Sequence, residues 1–453
     1  VNVFANSTNK LLLALATLLF FQITGIAAEK PIRFSEGLTQ LLRNNAKILG
    51  SKAQLLNFEA MRSEAAASEL PTLSFLSFVA PLYEVRGDAT RSVDNFSKWG
   101  PYLHGELQVV YPVFSFGRIK DAKQAASHAV EGGRFLHESQ INKSIFEFKQ
   151  LYMQCILLNR LRSVLDDASD KMQTILGRAE KLYKKGTGEV QRKDLTRLRL
   201  FALELQRYNA EWQASKKTAG LALAHMLGEK ESLLVLEQDF PRIQEATRAL
   251  EQLIAEANLT NPELKAVAEG LQARYHQLEM EKSGNLPILF IAGRADLNYT
   301  NMRDYQQSTY AFDPFNRNLF ALVFGAKWDL DFGNTKAKIQ KAEAELEKMK
   351  ATQSEAETGI PLKIAMAMWE FEKQKMQLEI IQNKYKEANK WSLSEMTAYT
   401  TGTGNAKDLI ESLAAVLMTE KEMAETEFNL CVAAARLAME IGDQATLKAW
   451  QEQ

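Results

Sequence analysis

Tyr183-Lys-Lys-Gly-Thr-Gly188 and Tyr399-Thr-Thr-Gly-Thr-Gly404 stand 216 positions apart in a chain of 453 residues. The same offset relates Asn45 to Asn261, Leu70-Pro71 to Leu286-Pro287, and Phe116-Gly117 to Phe332-Gly333. Past the Gly-Thr-Gly turns the offset shortens by two, so that Asp194-Leu195 matches Asp408-Leu409 and Gly228 matches Gly442. A colinear series of this kind marks an internal duplication, and the fold must accommodate one structural unit twice. The repeats are expected at 29–228 and 248–442, with a linker at 229–247 and a tail at 443–453.

Each repeat opens with helical text, Phe34 to Leu70 in the first. Past Pro71 the period changes. Leu103, Leu107, Val109, Tyr111 and Val113 share one parity, and His104, Glu106 and Gln108 share the other, which makes a strand with one apolar and one wet face. In the second repeat Leu289, Ile291, Ala295, Leu297 and Tyr299 alternate with Arg294, Asp296 and Asn298. A further run, Phe320, Leu322, Phe324, Ala326, Trp328 and Leu330, alternates with Lys327, Asp329 and Asp331. Four strands of about ten residues or slightly longer are expected, joined by loops near 85–101 and 301–317. Asp329 and Asp331 share a parity, and they are expected to line the wet face rather than to act as paired catalytic acids.

After Gly117 and Gly333 the text is helical again. Residues 118–183 hold no Pro, and a continuous helix of that length approaches ~100 Å. The following helix, about 190–228, carries Leu198, Phe201, Leu205, Tyr208 and Trp212 in alternating steps of three and four, a coiled-coil seam. The Gly-Thr-Gly turns join these helices, and glycine there suits the left-handed end of a helix.

Lys10 precedes the apolar run Leu11–Phe21, and Gly25-Ile-Ala-Ala28 follows, so residues 1–28 read as an export signal. Cys155 falls on a core stripe with Ile145, Phe148 and Tyr152, where a packed thiol is expected rather than a disulfide. Lys plus Arg number 55 against 56 acidic residues, and no basic cluster is interleaved with aromatics, which argues against nucleic acid as a partner. The five histidines are scattered without metal-ligand spacing, so no catalytic, cofactor or metal site is expected.

Four strands cannot close a barrel, and open strand edges are excluded from lipid. Membrane strands in this chain therefore require oligomerisation. Tyr111, Phe114, Phe116, Trp328 and Phe332 gather where the strands end, as in an interfacial aromatic belt facing outer-membrane lipid. A periplasmic coiled-coil scaffold or adaptor would explain the heptads but not the four alternating segments at duplicated positions.

The duplication, the Leu-Pro before each first strand, Tyr111-Pro-Val-Phe-Ser-Phe-Gly117, Trp328-Asp-Leu-Asp-Phe-Gly333 and the paired tips together resemble the TolC-like outer-membrane efflux and secretion channels. The resemblance covers nearly the whole mature chain. It implies a mainly α protein with membrane strands: a homotrimer whose three chains give four strands each to a 12-stranded barrel, above a long coiled-coil α-barrel in the periplasm. It implies a channel rather than an enzyme, with a periplasmic adaptor and an inner-membrane pump or ABC transporter as partners.

By the same resemblance Gly186, Thr187, Gly188, Gly402, Thr403 and Gly404 would dock on the adaptor. Asp408 and Glu411 would form acidic rings in the pore, and Asp194 and Tyr399 would hold the entrance closed. The chain departs from the pattern at Gly404, where the resemblance leads one to expect Arg, and the nearest cation in the tip sequence is Lys407.

Overall fold

The computed structural model describes residues 30–450 apart from 89, 186–189, 244–247 and 307–309. The expected export signal, the first tip (Gly186, Thr187 and Gly188) and the last three residues of the tail lie outside the described residues. In chain order the elements are β1 (Lys30–Ile32), α1 (Phe34–Asn44), α2 (Ala46–Ala67), β2 (Thr72–Gly87), β3 (Ser92–Phe114), α3 (Arg118–Lys185) and α4 (Arg192–Leu227). There follow β4 (Leu233–Val235), α5 (Leu250–Thr260), α6 (Pro262–Lys282), β5 (Ile288–Thr300), β6 (Leu319–Lys327), α7 (Asn334–Thr401), α8 (Ala406–Ile441) and α9 (Gln444–Lys448). Helices of 11, 22, 68 and 36 residues are succeeded by helices of 11, 21, 68 and 36.

Two compact units divide the chain, one of residues 53–136 and 263–357, the other of the remainder. The first unit holds an antiparallel sheet in the order β2-β3-β5-β6. Strands β5 and β6 have 13 and 9 residues, near the expected ten or slightly more, whereas β2 has 16 and β3 has 23. The segment 85–101, expected as a loop, is mostly strand. Pro101 faces Pro81 in register, so two residues without a backbone donor are matched against each other. A register shift after Tyr83 absorbs three extra residues of β3, since Tyr83 pairs with Trp99 and Glu84 with Asn95. Charge and the turn residues Gly87, Asp88 and Asp94 suggested a loop, but Asp94 pairs with Val85 and Gly87 with Ser92 in the ladder.

Strand β6 is shorter than its alternation implied. It ends at Lys327, so Trp328, Asp329, Leu330 and Asp331 are not in the strand. The Asp331 carboxylate instead accepts from the Thr335 amide at 2.8 Å and its hydroxyl at 2.7 Å, capping the start of α7. These bonds hold its carboxyl below the ordinary carboxylate range. Ser115, 216 positions earlier, accepts from the Ile119 amide at 3.2 Å at the start of α3. The apparent alternation of 328–331 therefore comes from a helix-entry motif.

In the second unit the paired asparagines and glycines of the sequence meet. Asn45 ends α1 and donates to the Met226 carbonyl at 3.0 Å, while Asn261 ends α5 and donates to the Glu440 carbonyl at 2.8 Å. Gly228 (φ +74°) and Gly442 (φ +91°) terminate α4 and α8 in the left-handed conformation. Buried Asn side chains thus satisfy carbonyls that the helix ends leave unpaired.

The core of this unit packs Phe34, Phe148, Tyr152 and Ile156 with Leu223, Leu233 and Leu447. Cys155 and Cys431 are free thiols against this core, and burial pushes both up to about 12. Lys149 is buried, and its ammonium donates to the carbonyls of Thr446 (3.3 Å), Leu447 (3.4 Å) and Ala449 (2.8 Å), holding the C-terminal end of α9. Burial lowers its pKa to about 8, against 10.5 for an ordinary lysine.

Below pH 8 the ammonium is charged in both folded and unfolded chains, and its burial opposes folding. Between about pH 8 and 10.5 only the unfolded chain keeps the proton, so this site's contribution to stability rises with pH, by roughly 3 kcal/mol in all. Thermal unfolding of the purified protein against Lys149→Met should show the difference moving in favour of the native residue over that window. A difference flat in pH would mean the ammonium is not desolvated.

Candidate functional site

The sheet has two chemically distinct faces. In register across β3 and β5, Leu103 faces Tyr299, Leu107 faces Ala295 and Tyr111 faces Ile291. The same face continues onto β6 through Ala295–Phe320, Gly293–Leu322 and Ile291–Phe324. It extends onto β2 through Leu73–Val109, Phe75–Leu107 and Val79–Leu103. Much of this face is bare: Phe320 and Phe324 are 80 % and 74 % exposed, and Phe75 is 70 % exposed. Such a patch far exceeds the scattered apolar residues normal on a water-facing surface.

The opposite parity carries charge. Arg294 donates to Asp296 at 2.8 Å and to Glu106 at 3.3 Å, and Asn298 accepts from the Tyr102 hydroxyl and contacts His104 Nδ1, each at 2.7 Å. The pleat separates the two chemistries because alternate residues point to opposite sides.

All five aromatics expected as a belt, Tyr111, Phe114, Phe116, Trp328 and Phe332, are exposed and stand where the sheet gives way to helix. Phe114 and Phe116 meet edge to face at 4.6 Å, and the Trp328 indole donates to the Asn285 carbonyl at 3.1 Å. A second aromatic group, missed in the sequence, sits toward the other end of β2 and β3. Tyr83 stacks on Phe96 at 4.5 Å and meets Trp99 edge-on at 5.8 Å. The bulge brings these three together, so no sequence spacing announces them.

The second tip closes α7 tightly. The amides of Thr403 and Gly404 both donate to the Ala398 carbonyl, at 3.0 and 2.9 Å. Gly402 has φ +82°, and a Cβ at Gly404 would come within 2.8 Å of the Tyr399 nitrogen. In this turn a side chain at 404 would collide with the backbone of Tyr399. Asn405 then opens α8, its Oδ1 accepting from the amides of Lys407 (2.9 Å) and Asp408 (3.0 Å).

The four expected entrance residues are placed as follows. Asp408 accepts from Asn405 Nδ2 at 2.6 Å. Glu411 lies 3.8 Å from Lys407, one turn before it, and both side chains are about half exposed. Asp194 accepts from the Gln191 amide at 3.2 Å in the first turn of α4, with Arg197 at 3.7 Å. The Tyr399 hydroxyl is buried and makes no hydrogen bond. Burial, and after it the Asp194 carboxylate, raises the Tyr399 phenol above its ordinary value. Tyr399 packs with Leu195, Leu198, Ala406 and Leu409 in a core shared by both hairpins. Asp194 and Tyr399 are thus neighbours within one chain, whereas Asp408 and Glu411 lie on the first turns of α8.

The sequence reading also missed Arg178, whose guanidinium on α3 donates to the Thr400 carbonyl at 2.9 Å in the last turn of α7. Lone arginines in a heptad pattern look like solvated positions, and only the tertiary contact distinguishes this one. Among the described residues no group of three or more His, Cys, Asp or Glu is arranged to hold a metal ion, and no helix is long and apolar enough to cross a membrane.

Residues 253–443 match the outer membrane efflux protein family. The structure superimposes on the Campylobacter jejuni CmeC outer membrane channel with a TM-score of 0.76 at 12 % identity, covering 93 % of this chain and 87 % of that one. The chain has a TolC-like fold. The outer membrane protein VceC of Vibrio cholerae gives a TM-score of 0.73 at 14 % identity over 90 % and 96 % of the two chains. The open state of the Neisseria gonorrhoeae MtrE outer membrane channel gives 0.70 at 14 % identity over 90 % and 89 %. No curated protein sequence matches the chain. Within the TolC-like fold, the two-faced sheet and the paired helical hairpins are the parts that carry chemistry.

Proposed function

We propose that the chain is one protomer of a trimeric outer-membrane exit duct, a passive channel for efflux or type I secretion. Its tips dock on a periplasmic adaptor, and an inner-membrane pump or ABC transporter drives the cargo. The observation that carries this reading is the sheet: one face is largely apolar and bare, the opposite parity carries Arg294, Asp296 and Glu106, and the sheet ends at β2 and β6, with β2 bridged beyond its edge at Val85 to Arg303. Open edges are tolerated in lipid only if another chain pairs with them. Three copies would give twelve strands, inside the range of known membrane barrels.

The two aromatic groups support a membrane depth. Trp99 and Tyr111 are both on β3, and the twelve residue steps from one to the other span about 40 Å along the strand at ~3.3 Å per residue. A strand tilted ~45° converts this to about 28 Å, close to the ~25 Å apolar band of an outer-membrane barrel. Residues 29–228 and 248–442 are proposed as the two repeats, of which the family match covers most of the second.

Purified protein reconstituted in planar bilayers tests the reading. Stable ion-conducting pores, from protein that only detergent extracts from the outer-membrane fraction, are the expected result. Protein released from the periplasm without detergent, and silent in bilayers, would overturn it in favour of a scaffold.

A further inference from the structure

Both long helices begin where the sheet ends, and both begin with cations. Helix α3 opens with Arg118, Lys120 and Lys123, and α7, 216 positions on, carries Lys336, Lys338 and Lys341 in its first eight residues. Lys327 closes β6. Among these, Lys123 reaches Glu69 at 2.8 Å, and Lys327 stands 3.8 Å from Asp329. Arg118, Lys120, Lys336, Lys338 and Lys341 belong to no ion pair among the described residues. The acids beside them are engaged elsewhere: Asp121 faces His276 Nδ1 at 3.0 Å, and Asp331 caps α7 through Thr335. At the end of α6, Glu279 takes Lys282 at 2.8 Å, and Glu281 adjoins that pair. A helix dipole opposes positive charge in the first turns, so helix stability does not account for the five unpaired cations.

Their place in the fold does. Phe114 and Phe116 come just before Arg118, and Trp328 and Phe332 come just before Lys336; all four aromatics are exposed. Beyond the aromatics lies the bare apolar face of the sheet. From Asn334 to Lys341 the helix advances about 10 Å at ~1.5 Å per residue. The headgroup layer of a bilayer is ~5–8 Å deep on each side of the hydrocarbon, and a lysine stem lets its ammonium reach toward that layer. Past Lys341 the sign reverses, with Glu343, Glu345 and Glu347. Apolar strand, aromatic, cation and acid follow one another in the order in which a chain leaving hydrocarbon meets the interface, anionic phosphates and water.

We propose that Arg118, Lys120, Lys336, Lys338 and Lys341 form a collar that binds the phosphates of anionic glycerophospholipids in the leaflet facing the periplasm. The partner is a lipid surface rather than a free anion, because the cations are spread over two helix starts and are continuous with the bare apolar face. Acyl chains cover that face and the aromatics, and the headgroups neutralise the collar. This rests on the membrane reading of the sheet and adds the chemical class of lipid that its periplasmic rim selects.

The test measures lipid binding to the purified, detergent-solubilised protein by native mass spectrometry. Short-chain phosphatidylglycerol is the anionic probe, and phosphatidylcholine with the same chains is the zwitterionic one. The native protein is expected to bind phosphatidylglycerol at least tenfold more tightly. Lys336→Gln/Lys338→Gln/Lys341→Gln should reduce that ratio at least threefold, and Lys336→Arg/Lys338→Arg/Lys341→Arg should preserve it. All three side chains are exposed, so the Gln variant should fold and still form pores in planar bilayers. Equal binding of the two lipids by a pore-forming native protein, or a preference unchanged in the Gln variant, would overturn the collar and leave the duct standing. Displacement of phosphatidylglycerol by inorganic phosphate at equal concentration would mark a free-anion site and overturn the lipid assignment. A native protein with neither pores nor lipid preference would remove both.

Discussion

Gly402→Trp is expected to abolish export while leaving assembly intact. Gly402 has φ +82°, a conformation costing an L-residue about 1–2 kcal/mol, so the substitution strains the turn without touching the core. No atom lies within 4 Å of a Cβ built there, so the indole would project away from the chain and into whatever docks on the tip. Gly402→Ala separates the two effects, because it carries the same backbone strain with almost no bulk. Export should fall to background for Trp and remain near native for Ala, with equal amounts of assembled protein in the membrane. Normal export by the Trp variant would mean that the turn is only a hairpin corner.

Asp408 and Glu411, proposed to ring the entrance, give the second large effect. Threefold symmetry would bring three copies each of Asp408 and Glu411 toward a narrow axis, and clustered like charges concentrate cations. Multivalent cations added on the periplasmic side should block the pore in planar bilayers. Asp408→Asn with Glu411→Gln should raise the blocking concentration of a trivalent cation by roughly a hundredfold, a loss of about 2.7 kcal/mol of binding. Lys407, 3.8 Å from Glu411, partly offsets that ring, so Lys407→Gln should tighten the block. Undiminished block in the double variant would pass the role to Asp194.

The anchors of the proposed duplication are backbone necessities. Asn45 and Asn261 plug helix ends, and Gly228 and Gly442 adopt a left-handed conformation few other residues share. The faces of the sheet were legible, since period two fixes which side each residue takes. Strand ends were not. Pro101 and Asn95 look like loop text until Pro81 and Glu84 are found opposite them, and Asp331 looks like a strand residue until its bond to Thr335 is seen. At the tip, Gly402 and Gly404 could be picked out from the repeat. The Arg178–Thr400 contact and the Tyr83–Phe96–Trp99 group could not, because each joins residues whose separation in sequence carries no period.

The open edges of β2 and β6 make the number of chains in the assembly the central quantity. Amine-reactive cross-linking in native outer membranes, followed by mass determination of the detergent-solubilised complex, measures it. Three chains, with cross-linked species ending at the trimer, is the result this account requires. A monomer in intact membranes would leave the sheet edges unpaired in lipid and contradict it.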